Sequence, residues 1–188
     1  VEFESYGDKD QDFSAQLTKI IAAKPDFIFL PNNYNEVALT VKQAHDLGWK
    51  GPFMGSDAWG SAELMDLCGD DCIGLYFSTH YAAAGAKGAT KEFIDRYKKK
   101  YGYIPDDVAA LTWDATRLVL QAIQEGGKLS GELRKDRKAL RESMANVKSF
   151  AGITGDMKFD EQGDPIKCAV VVRINEKGQF VFTKSVCP

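Results

Sequence analysis

The chain has 188 residues, 24 basic and 27 acidic side chains, a formal charge of −3 and 44% hydrophobic residues. That length can bury a core as one domain or two small lobes, and the charge balance lays no footprint for nucleic acid or an anionic membrane. Lys, Asp or Gly interrupts every apolar run well short of the ~20 residues a bilayer-crossing helix needs. The opening "VEFESYG" has no methionine, charged leader or signal segment, so the expectation is a mature or truncated product.

In chain order, "VEFES" reads as a strand. "DFSAQLTKII" reads as a helix with Asp12 as N-cap and with Phe13, Leu17, Ile20 and Ile21 on one face. "DFIFLP" is a continuous apolar run, expected to be a strand buried on both faces. "NEVALTVKQAHDLG" sets Val37, Val41, Ala44 and Leu47 on one stripe, opened by Asn35 and closed by Gly48. "PFMG" is a third strand, "AELMDLC" a short helix and "GLYFSTHY" a fourth strand. Strand and helix in alternation predict right-handed βαβ units and a parallel sheet, an α/β fold. After Tyr81 comes the flexible "AAAGAKGA", then helices over 90–101, 106–125 and 136–147, and a return to β structure in "GDMKFD". Boundaries are expected near 79–84 and 164–167.

The cysteines are placed by register. In "CAVVVRINEKGQFVFTKSVC" a two-residue turn at Lys177-Gly178 sets Glu176 facing Gln179 and Cys168 facing Cys187. Facing Cα atoms lie roughly 4.5–5.5 Å apart, inside the disulfide window, so a Cys168–Cys187 bridge is expected. Cys68 and Cys72 in "CGDDC" can close a small loop; two thiols without a nearby His make a poor zinc site. Disulfides imply an oxidising compartment such as the periplasm or the cell exterior.

Ligands of open α/β sheets sit beyond the carboxyl ends of the strands. Those ends carry Asn32, Asn33, Tyr34 and Asn35, then Ser56, Asp57 and Trp59, then Ser78, Thr79, His80 and Tyr81. One carboxylate, several amides and hydroxyls, and three aromatic rings suit a small polar molecule with a cationic group and an apolar part. A desolvated ammonium must be paired, which Asp57 can do, and Trp59 and Tyr34 can cover the apolar part or face the cation. Each residue also has a plainer role: Asp57 in turn amides, Trp59 as a packed rim aromatic, Tyr34 as a staple on the next helix, Asn33 in an Asx turn. His80 has no placed acid or nucleophile beside it and reads as structural, and Trp113 in "TWDAT" reads as packing. No GxSxG, GxxxxGKS/T, HExxH or strand-borne GxGxxG occurs, so the reading is a binding protein rather than an enzyme, with no catalytic residue, metal or cofactor.

The stretch "ESYGDKDQDFSAQLTKIIAAKPDFIFLPNNYNEVALTVKQAHDLGWKGPFMGSDAWGSAELMDLCGDDCIGLYFSTHY" resembles the second lobe of bacterial leucine/isoleucine/valine-binding proteins, the amino-acid receptors of ABC importers. The likeness continues through "FIDRYKKKYGYIPDDVAALTWDATRLVLQAI" and "FAGITGDMKFDEQGDPIK" and covers essentially the whole chain. It implies a type I periplasmic binding-protein fold, a parallel-sheet α/β architecture whose two lobes are joined by three crossings and close on a ligand. Residues 1–79 are then lobe two, 80–165 the C-terminal part of lobe one, and 166–188 a β-hairpin returning to lobe two. In the family the acidic residue of the turn matching "GSDAWG" holds the α-ammonium of the amino acid, which falls on Asp57. The aromatic contact after the preceding strand falls on Asn33, with Tyr34 adjacent. An Asp in place of the family's longer Glu changes the reach by one methylene, which allows a larger or differently seated ligand.

The resemblance also implies an N-terminal lobe missing from this sequence, and with it the partner strand of "VEFES". It implies a small-molecule ligand, an amino acid or amide, an ABC permease as partner, and a periplasmic or extracellular location in a bacterium. An amide- or amino-acid-sensing regulatory domain of the same fold is the alternative.

Overall fold

The computed structural model describes residues 1–126 and 129–188. Its elements are α1 (Ser14–Ala22), β1 (Ile28–Leu30), α2 (Tyr34–Asp46), β2 (Phe53–Gly55), α3 (Glu63–Cys68), β3 (Tyr76–Thr79), α4 (Gly88–Tyr101), α5 (Asp107–Gly126), α6 (Leu133–Ala145), β4 (Phe150–Gly152), β5 (Gly155–Phe159), β6 (Pro165–Ile166), β7 (Ala169–Ile174) and β8 (Phe180–Val186), with 3-10 turns at Asp57–Trp59 and Gly69–Cys72. Contacts divide the chain into Val1–Gly85 with Val170–Lys184, and Ala86–Ala169 with Ser185–Pro188. These divisions fall a few residues beyond the crossings read at 79/80 and 165/166, and the last four residues group with the second unit.

The first unit is a mixed sheet ordered β1-β2-β3-β7-β8. Strands β1, β2 and β3 run parallel, with Ile28 beside Phe53 and Gly55 beside Phe77. Strand β7 is antiparallel to β3, with Val172 opposite Phe77. Phe13 and Leu17 of the α1 segment, Val37, Val41 and Ala44 of α2, and Ile28, Leu30, Phe53, Phe77, Val172 and Ile174 of the strands share one buried cluster. Each fully buried side chain of this size contributes about 1.5–3 kcal/mol.

Several expectations are corrected here. "VEFES" forms no strand: Phe3 is 88% exposed, and the segment lies along α1 instead. Gln16 Nε2 donates to the Ser5 carbonyl at 3.1 Å, Lys19 pairs with Glu4 at 3.0 Å, and Tyr6 stands edge-on to Phe13 at 5.0 Å. A strand exists through ladder bonds to a neighbour, and no described strand flanks this segment. The run "DFIFLP" is buried on one face only: Ile28 and Leu30 point into the core, whereas Phe27 and Phe29 are half-exposed. Leu47 is outside the α2 stripe, because the helix ends at Asp46 and Gly48 turns the chain with φ +88°. Helix α2 opens at Asn33, two residues earlier than read, and α6 starts before Asp136. There the Asp136 carboxylate reaches back to accept from the Ser130 hydroxyl at 2.7 Å and from the amides of Ser130 and Gly131 at 2.7 and 2.9 Å, and these three bonds hold it below the usual carboxylate range.

The hairpin turn is one residue longer than read. Asn175, not Glu176, pairs with Gln179, its Oδ1 accepting from the amides of Lys177 and Gln179 at 2.9 Å each, and Gly178 takes φ +68°. A three-residue loop closed by a left-handed glycine follows. Cys168 and Cys187 are nevertheless bridged, with Cα atoms 4.1 Å apart, and Cys68–Cys72 forms a second bridge at 5.7 Å.

The second unit packs α4, α5 and α6 with the antiparallel sheet β4-β5-β6. Its organising polar group is Asp114 on α5, wholly buried. Oδ1 accepts from the Ile153 amide at 2.9 Å, and Oδ2 from the amide and hydroxyl of Thr154 at 2.8 and 2.7 Å. A Cβ on Gly152 would stand 2.5 Å from that Oδ2, so only glycine lets the strand come this close. Lys167 donates to the Thr154 hydroxyl at 2.7 Å; burial holds its ammonium below the ordinary lysine range, against the opposing pull of Asp114 and Asp107. Trp113, the neighbouring residue of "TWDAT", packs its ring 5.4 Å from Phe93 and stays partly exposed.

Candidate ligand-binding rim

Strand β2 ends in Gly55 because the chain folds back on itself there. The indole of Trp59 lies over Gly55 so closely that a Cβ would meet its Cε2 at 2.1 Å. Between them Ser56 and the 3-10 turn make the reversal. Ser56 Oγ accepts from the Ala58 amide at 3.4 Å, the Ser56 carbonyl from the Trp59 amide at 3.2 Å, and the Asp57 carbonyl from the Gly60 amide at 2.9 Å. With those amides taken by Ser56 and the main chain, the Asp57 carboxylate is not spent on the turn. Its side chain is 56% exposed, and the His80 imidazole stands beside it, with Nε2 3.5 Å from Oδ2.

Trp59 is not presented to a ligand in this structure. Its indole is wholly buried, 6.0 Å from the Phe77 ring, and Nε1 donates to the Leu30 carbonyl at 3.0 Å. A buried indole must place its N–H, and the end of β1 is the acceptor within reach. The residue read as a ligand cover therefore ties the turn of β2 to the end of β1 and holds Asp57 outward.

Asn33 and Tyr34 stand at the start of α2. Asn33 is exposed and occupies the N-cap with extended backbone (φ −70°, ψ 156°), yet its side chain makes no cap bond. Tyr34 is half-buried against the core, and its hydroxyl donates to Glu63 Oε2 at 2.6 Å. That bond to a carboxylate raises the Tyr34 phenol above its ordinary range. It fastens the start of α2 to the start of α3, across the same rim.

The structure thus brings Asp57 to His80 and Tyr34 to Glu63. His80 is read from sequence as structural, although it leaves the carboxyl end of β3 on this rim, which is the available signal. Glu63 is missed; its clue is its place at the first turn of the helix following the Asp57 turn. Among the described residues no group of three or more His, Cys, Asp or Glu side chains is placed to hold a metal ion, and the four thiols are consumed in bridges.

The family model described as periplasmic binding protein matches residues 1–179. Among curated proteins, a leucine-, isoleucine-, valine-, threonine- and alanine-binding protein of Pseudomonas aeruginosa is 29% identical over 163 residues, covering 86% of this chain and 41% of the relative. Among solved structures, a leucine-binding protein from Thermotoga maritima is 35% identical with a TM-score of 0.86, covering 96% of this chain and 50% of that one. A branched-chain amino acid transporter substrate-binding protein from Streptococcus pneumoniae, in complex with isoleucine, is 30% identical with a TM-score of 0.80, over 97% and 51%. The chain spans about half the length, or less, of the proteins it matches.

Proposed function

Because the chain belongs to the periplasmic binding protein family, we propose that it is part of the extracytoplasmic solute-binding protein of an ABC importer, taking an amino acid, branched-chain or related, between two lobes and passing it to a membrane permease. Asp57 carries this reading. It is a carboxylate at the carboxyl end of the parallel strands β1, β2 and β3, on a turn whose Ala58, Trp59 and Gly60 amides are satisfied without it. Such a group is preorganised for a ligand's α-ammonium, since nothing in the turn must rearrange to release it. The uncapped Asn33 amide and the fastened Tyr34 border the ligand on the same rim, and Trp59 supports the turn from behind.

The names of the relatives support the ligand class: leucine, isoleucine, valine, threonine and alanine for one, and bound isoleucine for another. In this reading the ligand's carboxylate is held by an N-terminal lobe missing from these 188 residues, and the protein works in the periplasm or outside the cell, where its two bridges persist. Binding is its whole task, without turnover.

A thermal-shift screen against the twenty amino acids tests the reading. A ligand at a hundredfold its Kd adds about 2.7 kcal/mol, which at 2–4 °C per kcal/mol gives a shift of about 5–10 °C. Asp57→Ala should lose that shift; equal shifts in the variant count against the assignment.

A further inference from the structure

The four cysteines close two bridges whose surroundings differ. Cys72 is wholly buried and Cys68 is 7% exposed, both within the core cluster of the first unit. Cys187 is exposed and Cys168 half-buried, and every residue from Phe182 to Pro188 is exposed. Charge separates the two as well. Asp70 and Asp71 stand within the Cys68–Cys72 loop, with Asp66 just before it, and all three are exposed. Lys167 adjoins Cys168, and no acidic residue stands within three positions of Cys168 or Cys187. Disulfide exchange begins with an attacking thiolate, so it needs a path to sulfur and is discouraged by carboxylates along that path.

Position gives an opened bridge its consequence. Strand β7 runs antiparallel to β3 with Val170 opposite Thr79, so Cys168 lies two residues beyond that pair, at the end of the sheet that carries the rim. Strand β8 is the last of the sheet order and pairs with β7. The β7–β8 ribbon is closed at one end by the turn between Asn175 and Gln179 and at the other by the bridge.

We propose that Cys168–Cys187 is a modification site, opened by a dithiol reductant while Cys68–Cys72 stays closed, and that its opening releases the rim end of β8. A thiolate of the dithiol attacks Cys187 Sγ, the S–S bond breaks, and Cys168 leaves as a thiolate that takes up a proton. The reductant's second thiolate then attacks the reductant's sulfur in the mixed disulfide and expels the Cys187 thiolate, which is protonated in turn. Two electrons and two protons pass to the protein, one bridge becomes two thiols, and the dithiol becomes a disulfide. The Asp57 reading has no part in this step.

The test treats the product of the complete reading frame, oxidised and without denaturant, with dithiothreitol. Samples are quenched with iodoacetamide at intervals and mapped by peptide mass spectrometry. Cys168 and Cys187 should be alkylated at least about tenfold faster than Cys68 and Cys72, as an accessible sulfur is against a shielded one. Hydrogen exchange on the selectively reduced protein should quicken at the amides of 181–186 and stay unchanged in β1, β2 and β3. The Cys168→Ser/Cys187→Ser variant should show the same pattern without reductant, with the paired Ala variant in its place should the Ser variant melt early. Equal rates, or earlier opening of Cys68–Cys72, overturn the modification site. Unchanged exchange at 181–186 after selective reduction overturns the release of β8.

Discussion

Gly55 and Trp59 show how much of this rim depends on one missing side chain. The indole occupies the space where any other residue at position 55 would carry its Cβ, and its N–H reaches the Leu30 carbonyl only from there. Gly55→Ala should therefore destabilise the protein by about 1–3 kcal/mol, the range for overpacking a filled core, read as a lower urea midpoint with an unchanged slope. An unaffected midpoint would mean that the indole moves aside freely. The place of Asp57 just beyond the end of β2 was legible in the sequence, whereas the fate of Trp59 was not. Position along the chain puts an indole on the rim but does not say whether it turns outward or back over a glycine four residues earlier. A second residue-scale prediction concerns Tyr97, whose phenol is pushed up to about 12 by its hydrogen bond with Tyr103 at 3.1 Å, by burial and by nearby Tyr103, Asp106 and Tyr101. A raised folded-state value means that the stabilisation is fully present below pH ~10 and is lost as pH climbs through about 12. Absorbance titration should find a tyrosine titrating near 12, moving to lower pH in Tyr103→Phe; an unchanged midpoint in that variant would assign the shift elsewhere.

Elements were legible where local pattern decides them and illegible where a partner does. Phe13, Leu17, Val37, Val41 and Ala44 were readable because a helix face buries itself by its own period. "VEFES" has the composition of a strand and none of the neighbours, and "DFIFLP" looks doubly buried although β1 covers only one face. The hairpin shows the finer limit. Lys177-Gly178 marked a turn correctly, but Asn175 supplies the side chain that lengthens it. In the second unit, "TWDAT" drew notice for its tryptophan, while the residue that organises the fold there is Asp114, satisfied by Ile153 and Thr154 some 40 positions away. The bridges give the element-scale prediction. On the chain-entropy account, opening Cys168–Cys187, separated by 19 positions, costs about 3 kcal/mol, and opening Cys68–Cys72, separated by 4, about 2 kcal/mol. Paired Cys→Ser variants, unfolded in urea, should rank in that order; the reverse ranking would mean that native-state packing around "CGDDC" outweighs loop length.

At the scale of the whole molecule, the alternation of strands and helices and the family likeness put the chain among periplasmic binding proteins, and the matching family model spans residues 1–179. The ordered series of elements identified the family, whereas only coordinates could show that the amides of Ala58, Trp59 and Gly60 find their acceptors without the Asp57 carboxylate. The most direct check is calorimetric comparison of L-leucine with 4-methylpentanoate, the same molecule without its ammonium, on wild type and Asp57→Asn. If Asp57 neutralises that ammonium, wild type should prefer leucine by at least about thirtyfold, the lower end expected for losing one partner of a desolvated charge pair, and the preference should vanish in the variant. Equal discrimination by both proteins would contradict the account.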